Sequence, residues 1–376
     1  MDWLKLEIDS LKVSNIYRER VVSDRYLNLC SNDYLGLSKN KEVIEAGISV
    51  LLSHGVGSGA SQLVSGYSEY HKKLEEKLSV FKEIPSCILF GSGYMANVGV
   101  IPAIGEEGDL ILSDELNHAS IVDGCRLSKA EKRIFPHLNY DELENVLQEE
   151  RGNYRKIIVV TDSVFSMEGD IADLKRLSEI CDRYDAILYI DDAHATGILG
   201  KGKGSLQEFN IKWKENIIVM GTLSKALGCY GAFVCGSEDL TKFIINKVRT
   251  IIFSTSIPPS LCASAIKSIE IIEENVHLVE ELRRRAEVTY NIFKEENIEI
   301  KWHGTPILPI IVGDEGKALH ISKQLMEKNI LLRAIRYPAV PKGKARLRLT
   351  VSLSIEEGLW FRTIEQVLDI LKKHIG

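Results

Sequence analysis

No run of ~20 consecutive apolar residues occurs in the 376-residue chain, so no helix of membrane-spanning length is expected. Its opening residues, Met1-Asp2-Trp3-Leu4-Lys5-Leu6-Glu7-Ile8-Asp9, lack the basic and apolar stretches of a secretory leader. A cytoplasmic protein is therefore expected. Positive charge is also scarce. The 47 Lys+Arg fall short of the 53 Asp+Glu, a formal net charge of −6 with no basic tract. That balance argues against nucleic acid or an anionic membrane as partner, while leaving room for a local basic groove around an anionic substrate. The seven cysteines stand apart, at 30, 87, 125, 181, 229, 235 and 262, without a CxxC pair or a His/Cys cluster. Neither a metal site nor a disulfide framework is indicated; they read as small buried residues. Nucleotide fingerprints are missing too. Gly55-Val56-Gly57-Ser58-Gly59 does not follow a strand with GxGxxG spacing, and no GxxxxGK[ST] occurs. Nor is there an internal repeat.

What is present is alternation. Lys156-Ile157-Ile158-Val159-Val160, Ala186-Ile187-Leu188-Tyr189-Ile190 and Ile217-Ile218-Val219-Met220 are short, continuously apolar runs. Between the first two lies Leu174–Cys181, apolar at helical spacing. Such runs alternating with amphipathic helices predict an α/β fold, a mostly parallel sheet with helices on both faces. At this length one large and one smaller domain are expected. The divisions are an N-terminal arm over 1–40, a large domain over 41–268 and a small C-terminal α/β domain over 269–376. The last would carry strands at 307–312 and 345–351. Arg283-Arg284-Arg285 reads as the solvated face of a helix.

In open α/β sheets ligands lie at the carboxyl ends of the strands. The three runs lead into Ser166, into Asp191 and His194, and into Thr222 and Lys225, five polar groups on one expected rim. A lysine bracketed by glycine and small hydroxyls is made nucleophilic by partial desolvation. Gly91-Ser92-Gly93-Tyr94 follows the apolar segment 87–90 and precedes a helix, which offers backbone N–H groups to a phosphate. An amine that condenses with an aldehyde, a phosphate-binding helix start and a strand-end aspartate together suit pyridoxal phosphate (PLP). Asp191 would pair with the ring nitrogen, and His118 would stack on the ring.

The residues carry a specific resemblance. Ser31-Asn32-Asp33-Tyr34-Leu35-Gly36-Leu37, Asn117-His118-Ala119-Ser120, Val164–Asp170, Asp191-Asp192-Ala193-His194, Gly221–Gly228 and Phe253–Pro259 resemble, in order, the segments of the α-oxoamine synthases. These are fold-type I PLP-dependent transferases that condense an amino acid with an acyl thioester. The resemblance implies that Lys225 holds the cofactor and removes the substrate Cα proton. It implies that Gly93, Tyr94, Ser166, His194 and Thr222 contact the cofactor, and that Ser254 and Thr255 reach the phosphate in the neighbouring subunit of a homodimer. Catalysis would rest on Lys225, His118, Asp191 and His194. Asn32 and Arg348 would bind substrate, Arg348 through the amino-acid carboxylate, with Arg18 or Arg20 near the acyl group. Residue spacing alone does not choose between Arg346 and Arg348, which share a strand face. The C-terminal pattern, Pro309–Asp314, Ala334–Pro341 and Ala345–Thr350, points to the branch that joins L-alanine to a pimeloyl thioester, on coenzyme A or an acyl carrier protein. Glycine with an acetyl thioester is the nearest alternative, and a non-catalytic partner subunit the alternative of another class. Ala339 stands where the family commonly carries a threonine that contacts substrate.

Overall fold

A computed structural model describes residues 1–375. It divides into two compact units. The larger comprises Leu35–Phe165 and Ile171–Glu280; the smaller comprises Met1–Tyr34, Ser166–Asp170 and the chain from Glu281 onward. After a short strand of the smaller unit, β1 (Leu27–Asn28), the seven strands of the larger unit follow. They are β2 (Ser86–Phe90), β3 (Leu110–Asp114), β4 (Glu131–Phe135), β5 (Ile157–Asp162), β6 (Ile187–Asp191), β7 (Ile217–Thr222) and β8 (Ala232–Gly236). They form one sheet in the order β2-β8-β7-β6-β5-β3-β4. Only β8 runs antiparallel to its neighbours. Every residue of β3, β5, β7 and β8 is buried. That is why these strands read as unbroken apolar runs rather than as alternation: both faces are covered.

The loops at the carboxyl edge are set by helix starts. Helix Gly93–Ile104 follows β2, capped by the Ser92 side chain, which accepts from the Met95 N–H. Helix Ala119–Leu127 follows β3, capped by His118. Beyond β7 the chain turns sharply. Gly228 has φ +64°, and a Cβ there would lie 2.2 Å from the backbone nitrogen of Ser38. Only glycine meets both demands.

In the smaller unit β9 (Ile307–Gly313), β11 (Ala334–Ile335) and β12 (Ala345–Thr350) form an antiparallel sheet in the order β11-β12-β9, while β10 (Ile330–Leu331) pairs with β1 in parallel. The division departs from the sequence-based one in two ways. Residues 1–34 are not a separate arm: β1 pairs with β10, and the Leu29 carbonyl accepts from the Thr350 N–H at 2.9 Å. The later boundary lies inside helix His277–Glu295, not at 268/269, because helix Pro259–Glu274 packs on helices Lys41–His54 and Glu69–Lys82 of the larger unit. The Arg283–Arg285 run is not uniformly solvated either. Arg285 is buried, its Nη1 donating to the carbonyls of Ser352 and Ile355 at 3.1 and 2.6 Å. Successive helical residues turn by ~100°, so three in a row cannot share one face. Among the described residues no helix is long and apolar enough to cross a membrane.

Candidate active site

The carboxyl ends of β5, β6 and β7 lie side by side, with Asp162 opposite Asp191 and Asp191 opposite Met220. Above them is a cavity of about 230 Å³ in the larger unit. Gly93, Tyr94, His118, Asp191, His194, Thr222 and Lys225 all line it. Seven of the residues singled out in the sequence thus converge from four strand ends and two helix starts. Ser92, Ser120, Asp162 and Ser224 also face it.

Asp191 is buried and doubly held. Its Oδ2 accepts from Asn97 Nδ2 at 2.8 Å, and its Oδ1 from the Ala193 N–H at 3.0 Å. Asn97 is itself fully satisfied: its amide also donates to Ser120 Oγ, and its oxygen accepts from the Tyr189 hydroxyl, both at 2.8 Å. A buried polar network with every member partnered is rigid, so the carboxylate is aimed before any ligand arrives. Next to it, burial and the neighbouring Asp191 push the Asp162 carboxyl well above the usual carboxylate range, although the His118 N–H donates to it at 2.6 Å. Both effects disfavour a charge on Asp162 beside Asp191 at the strand ends.

His118 Nδ1 accepts from the Ser120 N–H at 3.2 Å and lies 2.7 Å from Ser120 Oγ. Burial holds its pKa below the ordinary histidine value, against the pull of Asp191. With Nδ1 accepting, the proton of the neutral ring sits on Nε2. A neutral, fixed imidazole at the cavity wall suits stacking on a flat ring. Thr222 Oγ1 is tied to the Gly231 carbonyl at 2.9 Å and lies 2.7 Å from Ser224 Oγ. Asp192, adjacent to Asp191, faces away into a buried ion pair with Lys82 at 2.7 Å.

Not every expected residue meets in this cavity. Ser166 lies four residues past the end of β5, in the smaller unit; the strand-end position belongs to Asp162. The Ser166 carbonyl accepts from Arg348 Nε. Arg348 Nη1 donates to Asn32 Oδ1 at 3.0 Å and Thr350 Oγ1 at 2.8 Å. These partners are neutral. Arg346, on the same face of β12, is engaged instead in an ion pair with Glu168 at 2.9 Å. Ser254 and Thr255 do not line the cavity; Thr255 bridges Ser61 in the larger unit. Arg18 and Arg20 are exposed. Sequence reasoning missed Asn97 and Asp162. Asn97 sits one turn into the helix that opens at Gly93, four residues after Gly93 and three after Tyr94, and that spacing was its only trace.

The donor set suits PLP. Lys225 supplies an amine, Asp191 a buried acceptor for a ring N–H, His118 a flat neutral ring, and the helix start at Gly93 backbone N–H groups for a phosphate. Comparisons with known proteins agree. The model of the class I and II aminotransferase family matches residues 24–358. A putative 8-amino-7-oxononanoate synthase of Aquifex aeolicus is 57% identical over 354 residues, 94% of each chain. Among solved structures, an SPT solved with PLP superposes with a TM-score of 0.89 at 27% identity, covering 99% of this chain and 97% of its own. An 8-amino-7-oxononanoate synthase of Francisella tularensis gives 0.78 at 26% identity, covering 94% and 98%.

Proposed function

The chain belongs to the class I and II aminotransferase family, and from that premise we propose that it carries out the reaction for which its 57% identical relative is named. It is a PLP-dependent acyltransferase of biotin biosynthesis, an α-oxoamine synthase of fold type I. L-Alanine and a pimeloyl thioester combine to give 8-amino-7-oxononanoate, CO₂ and the free thiol. The observation that carries this reading is the convergence of Lys225, Asp191, His118 and His194 on one cavity.

When bound, PLP supplies an electron sink for the pair left at Cα. The protein's residues do the rest. Asp191, fixed by Asn97 and the Ala193 N–H, would hold a proton on the ring nitrogen and so keep the sink cationic. His118 would stack its imidazole on the ring, and Thr222 and His194 would contact it from the cavity walls. Lys225 would hold the cofactor at rest and, as a free amine, would take the Cα proton of alanine and later return one. Its proximity to a bound cation and its partial desolvation favour the free amine that this needs. Arg348 grips the alanine carboxylate with a two-pronged guanidinium, which its neutral partners leave unneutralised. Arg346, already paired with Glu168, is not the carboxylate ligand. Asn32 steadies Arg348, and Arg18 or Arg20 lies near the acyl chain.

The working form is a homodimer with Ser254 and Thr255 serving the partner's site. Exposed Ile44, Ile48, Leu52, Val56, Leu63, Val64 and Phe253 support this. They lie on helix Lys41–His54 and on segments joined by the Ser61–Thr255 bridge, and apolar residues so placed mark an interface.

The test is turnover. Holoenzyme with L-alanine and pimeloyl-coenzyme A should yield 8-amino-7-oxononanoate by mass spectrometry, and yield less product from glycine with acetyl-coenzyme A. Faster reaction with the glycine pair would replace the reading with that of a glycine acyltransferase.

A further inference from the structure

We infer that one buried amide, that of Asn97, positions both groups that would hold the PLP ring: Asp191 at its nitrogen and His118 on its face. This rests on the PLP-dependent reading above and adds Asn97, Ser120 and Tyr189 to it as positioning residues. Asn97 and Tyr189 are completely buried, and Ser120 nearly so. They come from three elements: Asn97 from helix Gly93–Ile104, Tyr189 from β6 and Ser120 from helix Ala119–Leu127.

The direction of each hydrogen bond follows from the chemistry of the partners. Asp191 accepts on both oxygens, from the Ala193 N–H and from this amide, so Asn97 must turn its NH₂ group toward it. The amide oxygen then faces Tyr189, whose hydroxyl donates to it at 2.8 Å. The second amide N–H donates to Ser120 Oγ at 2.8 Å. Ser120 has one hydroxyl proton, and His118 Nδ1 lies 2.7 Å away to accept it. The Ser120 backbone N–H also points at Nδ1, at 3.2 Å, and opposes a proton there. The network is a fork. It runs from Tyr189 to Asn97 and divides, one prong ending at Asp191 and the other at a neutral His118 with its proton on Nε2.

The backbone is shaped to let the fork form. A Cβ at Gly124 would lie 2.7 Å from the Asn97 carbonyl oxygen, so any larger residue there would part the two helices and separate Asn97 from Ser120. The charged groups around His118 are Asp191, Lys225, Asp123 and Asp162, with Tyr94 and His194 on the same cavity. Burial, the largest effect, disfavours a charged imidazole; Asp191 and Asp123 pull the other way, and Lys225 adds to burial. The two Ser120 donors act on the side of the neutral ring. A buried network with every member partnered is stiff. Tying both ring partners to one amide thus fixes the angle between them before the cofactor enters.

Holoenzyme labelled with nitrogen-15 histidine tests this by NMR, the His118 signals being those lost in His118→Gln. Wild-type His118 should carry its proton on Nε2 alone and stay neutral through the ordinary histidine value of 6.5. Ser120→Ala removes a donor to the neutral ring, so the apparent His118 pKa should rise by about one pH unit. By equilibrium dialysis the same variant should hold PLP about tenfold more weakly. Asn97→Ala cuts both prongs and should weaken PLP about a hundredfold. Tyr189→Phe keeps the ring shape and removes only the donor behind the amide; it should move both readings in the same direction, and it carries the test if Asn97→Ala does not fold. Folded Ser120→Ala and Tyr189→Phe with wild-type PLP affinity and wild-type His118 shifts, or with a lower Tm as the only change, would overturn the fork. So would weaker PLP binding in Ser120→Ala without a change in His118. If both readings move as expected while alanine and the pimeloyl thioester give no product, the fork stands and the proposed reaction falls.

Discussion

Asp162 and Asp191 are neighbours in register, yet the chain treats them differently. Both line the cavity, but Asp191 receives two neutral donors, whereas burial and the neighbouring Asp191 raise the Asp162 carboxyl well above its ordinary pKa. The difference favours the proposed pairing of Asp191 with the ring nitrogen. Asp191→Asn should therefore fold normally and bind PLP, but lose about 10²–10³ in kcat, the usual cost of one preorganised electrostatic partner. A steady-state assay beside a circular dichroism spectrum checks this, and activity within a few-fold of wild type would remove Asp191 from the role. On β12 the same logic separates two arginines. Arg348→Lys should raise KM for alanine and slow turnover with little change in PLP affinity, because an ammonium cannot reproduce the guanidinium fork. Arg346→Lys should be milder, since Arg346 is held by Glu168 and by the Met167 and Lys344 carbonyls. The reverse ranking in alanine kinetics would move the carboxylate site to Arg346.

Among the elements, the edge strand β2 is tied down from outside. Glu75, on helix Glu69–Lys82, accepts from the Leu89 N–H at 3.1 Å and from the Tyr67 hydroxyl at 2.6 Å. A carboxylate on a sheet edge satisfies a donor that would otherwise invite another strand. Burial pushes its pKa from the ordinary 4.5 up to about 7. The folded chain therefore binds this proton more tightly than the unfolded chain. Its contribution to stability is complete below about pH 4.5 and is lost as pH rises through about 7. The most this shift can move stability is about 3 kcal/mol. Glu75→Gln should flatten the fall in unfolding free energy between pH 5 and pH 8 relative to wild type. Parallel slopes in denaturant titrations across that range would show that Glu75 does not carry it.

For the whole molecule, the proposed sharing of each site between two subunits has a counting consequence. Lys225→Ala and the double variant Ser254→Ala/Thr255→Ala should each be inactive as homodimers. Unfolded together and refolded as mixed dimers, half the dimers carry one of each subunit, and each of these has one intact site. About a quarter of wild-type activity should return. No recovery, with mixed dimers verified by native mass spectrometry, would mean that each subunit completes its own site.

The sequence by itself determined the sheet and its rim. Short continuous apolar runs alternating with amphipathic helices make a parallel sheet covered on both sides, and the residues that follow them emerge at one edge, so Asp191, His194, Thr222 and Lys225 could be grouped from chain order alone. The positions of β5, β6, β7 and β9 were legible for the same reason, and β12 from its apolar–polar alternation, to within a residue or two at their ends. Only the tertiary structure decided what depends on contacts far apart in the chain. It joined residues 27–29 to 329–331 and 350, so that the supposed arm became part of the smaller unit. It placed Asn97 against Asp191, 94 positions away. It turned Arg285 inward to close two carbonyls and separated Arg346 from Arg348 by the partner each met. Periodicity records which face a side chain takes; it holds no record of what waits on that face.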